Sequence, residues 1–132
     1  LFTADLFKYL DFEAEVCFVK LASYKGVSST GNIITAIGLD TNLNDRHVII
    51  LEDIIDTGHT LSQVLKILAT RQPASLTVCA LLNKPSRREV DVNVHWTGFD
   101  IPDEFVIGYG NNYAQQGRNL PHIGAVRPAQ SS

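Results

Sequence analysis

At 132 residues, with 45% apolar and 19% charged side chains, the chain is long enough to bury a core and has neither a disordered nor a fibrous composition. Its net charge of −3 comes without a basic stripe: Arg87 and Arg88 are the only adjacent basic pair, which argues against a nucleic-acid partner. No apolar run reaches membrane-spanning length and no signal peptide is recognisable, so residues 1–132 read as one cytoplasmic domain.

The chain opens at Leu1 in a helical pattern whose Phe2, Leu6, Tyr9 and Leu10 share a face. A domain seldom begins inside an amphipathic helix, so residues upstream of Leu1 are expected. Glu15 to Leu21 is apolar and β-branched enough for a strand. The polar stretch from Ser23 to Asn32 reads as the long tip of a hairpin arm that returns over Ile33 to Leu39. Asp40 to Arg46 is a polar loop, and Val48 to Leu51 suits a strand covered on both faces. Leu61, Val64, Leu65 and Leu68 repeat at helical spacing until Pro73.

Ser75 to Leu82 is the next strand, Val90 to Trp96 alternates strictly as a half-exposed strand would, and Phe105 to Ile107 is a short strand before GYGNNY. Strand, helix, strand in this order imply an α/β fold with a parallel sheet. The tail from Pro128 is expected to fray. Cys17 and Cys79 lie in the apolar runs VCFV and TVCALL and read as reduced, buried core thiols.

The informative segment is VIILEDIIDTGHTL, from Val48 to Leu61. In open α/β sheets ligands bind beyond the carboxyl ends of strands, where this turn falls. Thr57, Gly58 and Thr60 precede or open a helix whose first N–H groups lack partners and favour an anion. Glu52 and Asp53 stand upstream, where they would repel a phosphate at contact range. They make sense as holders of sugar hydroxyls or of magnesium, with the phosphate further on. The bland alternative is a solvated acidic turn capped by Thr57.

Three look-alikes fail. Asp56-Thr57-Gly58 matches the aspartic protease triplet, but those proteins are all-β and a helical repeat follows here. Gly26 to Gly31 has P-loop spacing, but Asn32-Ile33 replace the required Lys and Ser/Thr. Asp53 and Asp56 are too far apart for a DxD nucleophile loop.

VIILEDIIDTGHTL resembles the phosphoribosyl diphosphate (PRPP) signature of type I phosphoribosyltransferases. ASYKGVSSTGNI, LLNKPSRR with WTGFDIPDEFVIGYG, and YAQQGRNLPHIGAV resemble the 6-oxopurine branch, the hypoxanthine-guanine phosphoribosyltransferases. The resemblance runs in order over nearly the whole chain. It implies the type I fold, a parallel sheet flanked by helices with a β-hairpin arm. It also implies a Mg²⁺-dependent enzyme of purine salvage, moving the phosphoribosyl group of PRPP to hypoxanthine or guanine, and a homodimer or homotetramer.

The roles it implies are specific. Glu52 and Asp53 would hold ribose hydroxyls and Mg²⁺, and Asp56 would serve the purine N7 as general base or acid. Asp56, Thr57, Gly58, His59 and Thr60 would surround the 5′-phosphate. Lys84 would donate to the purine O6, Phe105 would stack on the base, and the Val106 backbone would read its edge. Ser23 and Tyr24 would belong to a mobile lid, and Arg118 would reach the pyrophosphate. Taken alone, Lys84 reads as a solvated strand-end lysine, Phe105 as core, Tyr24 as a loop aromatic and Arg118 as a surface ion-pair partner. His47, His95 and His122 lack metal-ligand spacing and read as structural.

The pattern departs from the family in three places. The family's pyrophosphate loop lies on a strand before the opening helix; a βαβ unit takes roughly 30 residues or more, so about that many are expected upstream. Asn112 stands where relatives usually carry an acid as metal ligand; an amide oxygen coordinates Mg²⁺ without the charge. His59 occupies a variable position of the signature, at a helix N-terminus beside the expected phosphate. A non-catalytic regulatory protein binding PRPP or nucleotide on the same fold is the alternative function.

Overall fold

The computed structural model describes residues 1–25, 32–37, 41–112 and 114–126, with the backbone alone over 21–25 and 32–37. Three strands make the central sheet in the order β3 (His47–Ile55), β4 (Ser75–Asn83), β5 (Trp96–Asp100), all parallel. Helix α2 (His59–Ala69) is the crossover from β3 to β4. Its Leu61, Val64 and Leu68 recur at helical spacing and are the buried residues of the helix. Leu61 joins Ile55, Val78 and Ala80 in one core cluster, while Val64 and Leu68 pack with Leu43, Ile50 and Leu76.

The hairpin arm is β1 (Lys20–Lys25) paired antiparallel with β2 (Asn32–Ile37). A short helix α1 (Phe2–Phe7) precedes it, and a small pair β6 (Val106–Ile107) with β7 (Gly124–Ala125) closes the chain order. Among the described residues no helix is long and apolar enough to cross a membrane.

Several expected boundaries move. The first strand begins at Lys20, and residues 13–19 belong to no helix or strand, with Phe18 at 77% exposure. The strand then runs on through Ser23 and Tyr24, which pair with Ile34 and Ile33, so both sit on the ladder and not in the expected loop. An antiparallel ladder continues for as long as backbone partners face each other, whatever the polarity of its side chains. The remaining tip, 26–31, and the tail from Pro128 lie outside the described residues.

Val90 to Trp96 is no strand before Trp96. Its alternation is real, since Val92 and Val94 pack on the core cluster, but the segment before Trp96 belongs to no ladder. Alternation reports a half-buried extended backbone; it does not report whether a neighbour pairs with it. Helix α1 ends before Tyr9, which is 86% exposed. Both cysteines are free, but Cys17 is exposed and hydrogen-bonded to the Thr41 hydroxyl at 3.0 Å, against the expected core position. Cys79 is half-buried, and burial raises its thiol pKa.

Candidate active site

The β3–β4 pairing keeps one register from His47↔Ser75 to Ile55↔Asn83. Both strands therefore end at the same level, and the Lys84 N–H extends the ladder to the Ile55 carbonyl at 2.9 Å. Beyond that edge β3 continues into the turn Asp56-Thr57-Gly58 and β4 into Lys84.

Gly58 turns the chain into α2 with φ +91°, a left-handed conformation that favours glycine. A Cβ there would meet the Val90 carbonyl oxygen at 2.7 Å. The turn is stapled from that side: the N–H groups of Glu89 and Val90 both donate to the Thr57 carbonyl, at 2.9 and 3.1 Å. Arg88 donates to the Asp56 carbonyl at 2.9 Å and to the Asn83 side-chain oxygen. His59 pairs with the Glu89 carboxylate at 2.7 Å. The first N–H of α2 has only a long contact to the Thr57 hydroxyl, 3.4 Å, so this helix end offers donors to an anion.

Upstream on β3, Glu52 is half-buried and Asp53 exposed. Burial first, and the charge of Asp53 second, raise the Glu52 pKa. Both acids border a cleft of about 690 Å³, whose apolar side is made by Phe7, Val16, Phe18 and Leu51. The turn after β6 comes within electrostatic reach of Asp53 through Tyr109. Gly108 has φ +98° and bridges to Asn111, and Asn112 is half-buried next to that bridge. Tyr109 donates to the Asp5 carboxylate of α1; that bond, burial and the charges of Asp5 and Asp53 push its pKa up to about 12.

On the β4 side, Lys84 is 6% exposed, the most buried charged side chain among the described residues. Its ammonium makes no ion pair among them and lies 5.8 Å from the Phe105 ring centroid. Phe105 is itself 69% exposed, a ring presented outward and not the core residue its apolarity alone suggests. Its carbonyl accepts from the Val126 N–H at 2.7 Å, which anchors the start of β6 and half-buried Val106.

A phosphoribosyl transferase domain model matches residues 1–114. The chain is 50% identical over 127 residues to the hypoxanthine phosphoribosyltransferase of Haemophilus influenzae, covering 96% of this chain and 71% of that protein. It is 42% identical to the hypoxanthine-guanine phosphoribosyltransferase of Bacillus subtilis, covering 97% of this chain and 72% of the relative. The crystal structure of a hypoxanthine phosphoribosyltransferase from Staphylococcus aureus superposes with a TM-score of 0.86 at 38% identity, covering 96% of this chain and 70% of that one. The chain belongs to the hypoxanthine phosphoribosyltransferase family.

Within this phosphoribosyltransferase the expected site residues fall into groups. Glu52, Asp53 and the Asp56–Thr60 turn are one continuous stretch, and Lys84 meets Phe105 beside it. Arg118 is occupied locally, donating to the Gly110 carbonyl at 2.8 Å and to Gln115 at 3.2 Å. The side chains of Ser23 and Tyr24 lie outside the described residues. His95 and His47 have structural partners: His95 accepts from the Val78 N–H at 3.0 Å, and His47 Nδ1 is 2.7 Å from the Ser75 hydroxyl.

The sequence reading passed over Arg87. It follows Lys84 on the 3₁₀ turn Pro85–Arg87, and its Nε donates to Asp56 Oδ1 at 2.9 Å while its Nη1 lies 3.6 Å from Asp103. The hydrogen bond to Asp56 first, and the charge of Asp103 second, raise the Arg87 pKa. The adjacent basic pair Arg87-Arg88 right after Lys84 was the available signal.

Proposed function

We propose that this enzyme transfers the phosphoribosyl group of PRPP to N9 of hypoxanthine or guanine, with the Asp56 turn on the phosphate and Lys84 on the purine. The observation that carries the reading is Lys84: a lysine only 6% exposed, with no ion-pair partner among the described residues, whose ammonium lies 5.8 Å from an outward-presented aromatic ring. An ammonium only donates hydrogen bonds, and with no acid paired to it a ligand carbonyl such as the purine O6 is a fitting acceptor.

In the reaction the N9–C1′ bond forms as the C1′–O bond to pyrophosphate breaks, and the electron pair leaves with the pyrophosphate. Positive charge develops on the ribose, so the site must orient and stabilise more than attack. On our reading the N–H groups at the start of α2, with the Thr57 and Thr60 hydroxyls, hold the 5′-phosphate. Glu52 and Asp53 orient the ribose through its hydroxyls. Asp56 takes the proton that the purine imidazole loses, at N7, and returns it in the reverse direction. Phe105 and Lys84 fix the plane of the base, with the Val106 backbone at its edge.

The donor set suits Mg²⁺. Two adjacent carboxylates at the strand end match an ion that takes one or two protein carboxylates and completes its shell with substrate oxygens and water. Glu52 and Asp53 would hold it, with the Asn112 amide as a neutral third donor, and bound Mg²⁺ supplies charge compensation for the leaving diphosphate. Arg118 would reach that diphosphate on leaving its own turn, and Ser23 and Tyr24 belong to the arm that we assign as lid.

The test is nucleotide formation from each purine with PRPP and Mg²⁺ in the full-length enzyme, alongside Asp56→Asn. We expect IMP and GMP from the native enzyme and a loss of kcat of at least about 100-fold in the variant. No nucleotide from any base would refute the enzyme reading, and full activity in Asp56→Asn would remove Asp56 from the proton transfer.

A further inference from the structure

A carboxylate that moves a proton works only when held at a fixed angle to the purine, and Asp56 sits on a turn, not in a strand or helix. Its side chain is about half exposed, 42%, so packing alone does not fix its rotamer. Among the described residues the one side chain bonded to its carboxylate is Arg87, through Nε at 2.9 Å to Oδ1. That leaves Oδ2 for a ligand. The other end of the same guanidinium reaches Asp103 at 3.6 Å.

Asp103 lies two residues before Phe105, on the segment that enters β6. Arg87 itself is pinned close to the base site, because its N–H donates to the Lys84 carbonyl at 3.1 Å. Arg87 therefore joins three segments: its guanidinium spans the phosphate turn and the approach to the stacking ring, and its backbone N–H ties it to the lysine segment. Arginine suits this bridge because its nitrogens diverge, so one guanidinium serves two acids at once; a lysine ammonium is a single point.

We infer that Arg87 is a positioning residue of the transfer reaction, orienting the Asp56 carboxylate and coupling it through Asp103 to the segment that carries Phe105. The inference rests on the assignment of proton transfer to Asp56. Arg87 touches no reacting atom. Its contribution lies in the angle at which Oδ2 meets the purine, so it belongs to kcat more than to substrate affinity.

The experiment uses the full-length enzyme with Arg87→Gln, Arg87→Lys, Asp103→Asn and the double variant Arg87→Gln/Asp103→Asn, each beside Asp56→Asn. Misplacing a catalytic group by about an ångström costs up to roughly 100-fold in rate. We expect kcat of Arg87→Gln to fall about 10- to 100-fold, with KM for PRPP within about twofold of the native value. Arg87→Lys recovers part of the loss, and Asp103→Asn gives a smaller loss that does not add to that of Arg87→Gln.

The melting temperature stays near native, since exposed ion pairs contribute little to stability. A kcat within twofold of native in Arg87→Gln, while Asp56→Asn is inactive, overturns the inference and leaves the site reading standing. Activity in Asp56→Asn overturns the site reading itself. A loss confined to KM for PRPP would make Arg87 a diphosphate ligand, and a large drop in melting temperature would make it a structural residue. Either result also overturns the inference.

Discussion

Replacing Gly58 by alanine tests the phosphate turn at its tightest point. The residue has φ +91°, and an alanine Cβ would meet the Val90 carbonyl oxygen at 2.7 Å, the Arg88 Cδ at 3.2 Å and the Val92 Cγ2 at 3.4 Å. Holding a non-glycine residue in this backbone region costs roughly 1–3 kcal/mol. Relieving the contact costs about as much again, because the nearest atom is backbone and cannot rotate away. The Val90 N–H is bonded to the Thr57 carbonyl, so pushing Val90 aside also loosens the staple over the turn.

We expect a total of about 2–6 kcal/mol, a fall in melting temperature of roughly 6–20 °C for a domain of this size. The surviving folded enzyme should show a KM for PRPP raised at least about tenfold, because the N–H groups at the start of α2 no longer converge. Thermal melts and steady-state kinetics with PRPP varied at saturating hypoxanthine measure both. An alanine variant that melts within a degree of native, with an unchanged KM for PRPP, would refute the role given to this turn.

Two more predictions concern the acids and their neighbour. Burial raises the Glu52 pKa, so protonation is favoured by folding and the cost of ionising it in place is fully present above its folded pKa; the cost vanishes below the ordinary value of 4.5. Without substrate or magnesium, Glu52→Gln should therefore melt higher than native at pH 7–8, with the difference shrinking as the pH falls through the carboxylate range, while the same variant loses activity. Equal melting temperatures at pH 7–8 would refute the burial argument. On the proposed donor set, Asn112→Asp adds a charged ligand, and half-maximal activity should move to about threefold or more lower Mg²⁺. An unchanged magnesium titration would remove Asn112 from the metal's surroundings.

How much was legible in the sequence follows from where each signal is stored. The candidate turn was readable because its distinctive residues are consecutive, Glu52 to Thr60, at a strand-to-helix junction that hydrophobic periodicity locates and the fold shows. The core of α2 was readable for the same reason, from Leu61, Val64 and Leu68. Val92 and Val94 were read as a strand because they alternate, yet partnering is a long-range property that alternation does not carry. Cys17 was read as core from its apolar neighbours, and nearest neighbours in sequence do not determine what covers a residue. Arg87 went unread because its partners are Asp56 and Asp103, far away along the chain, and exposed pairs leave no periodic trace.

The shared register of β3 and β4 has a consequence for specificity. On the proposed site, the rung Ile55↔Asn83, with Lys84 bonded back to Ile55, would work as a ruler between the two ends of a nucleotide. On the proposed assignment one end of the product is held at the turn that β3 feeds, and the other is gauged by the lysine on the next strand. A slip of one residue would shift Lys84 by about 3.3 Å against the turn, more than the length of a hydrogen bond. Substitutions in the sheet interior, remote from any ligand, can therefore alter which base is accepted by changing where the scale begins.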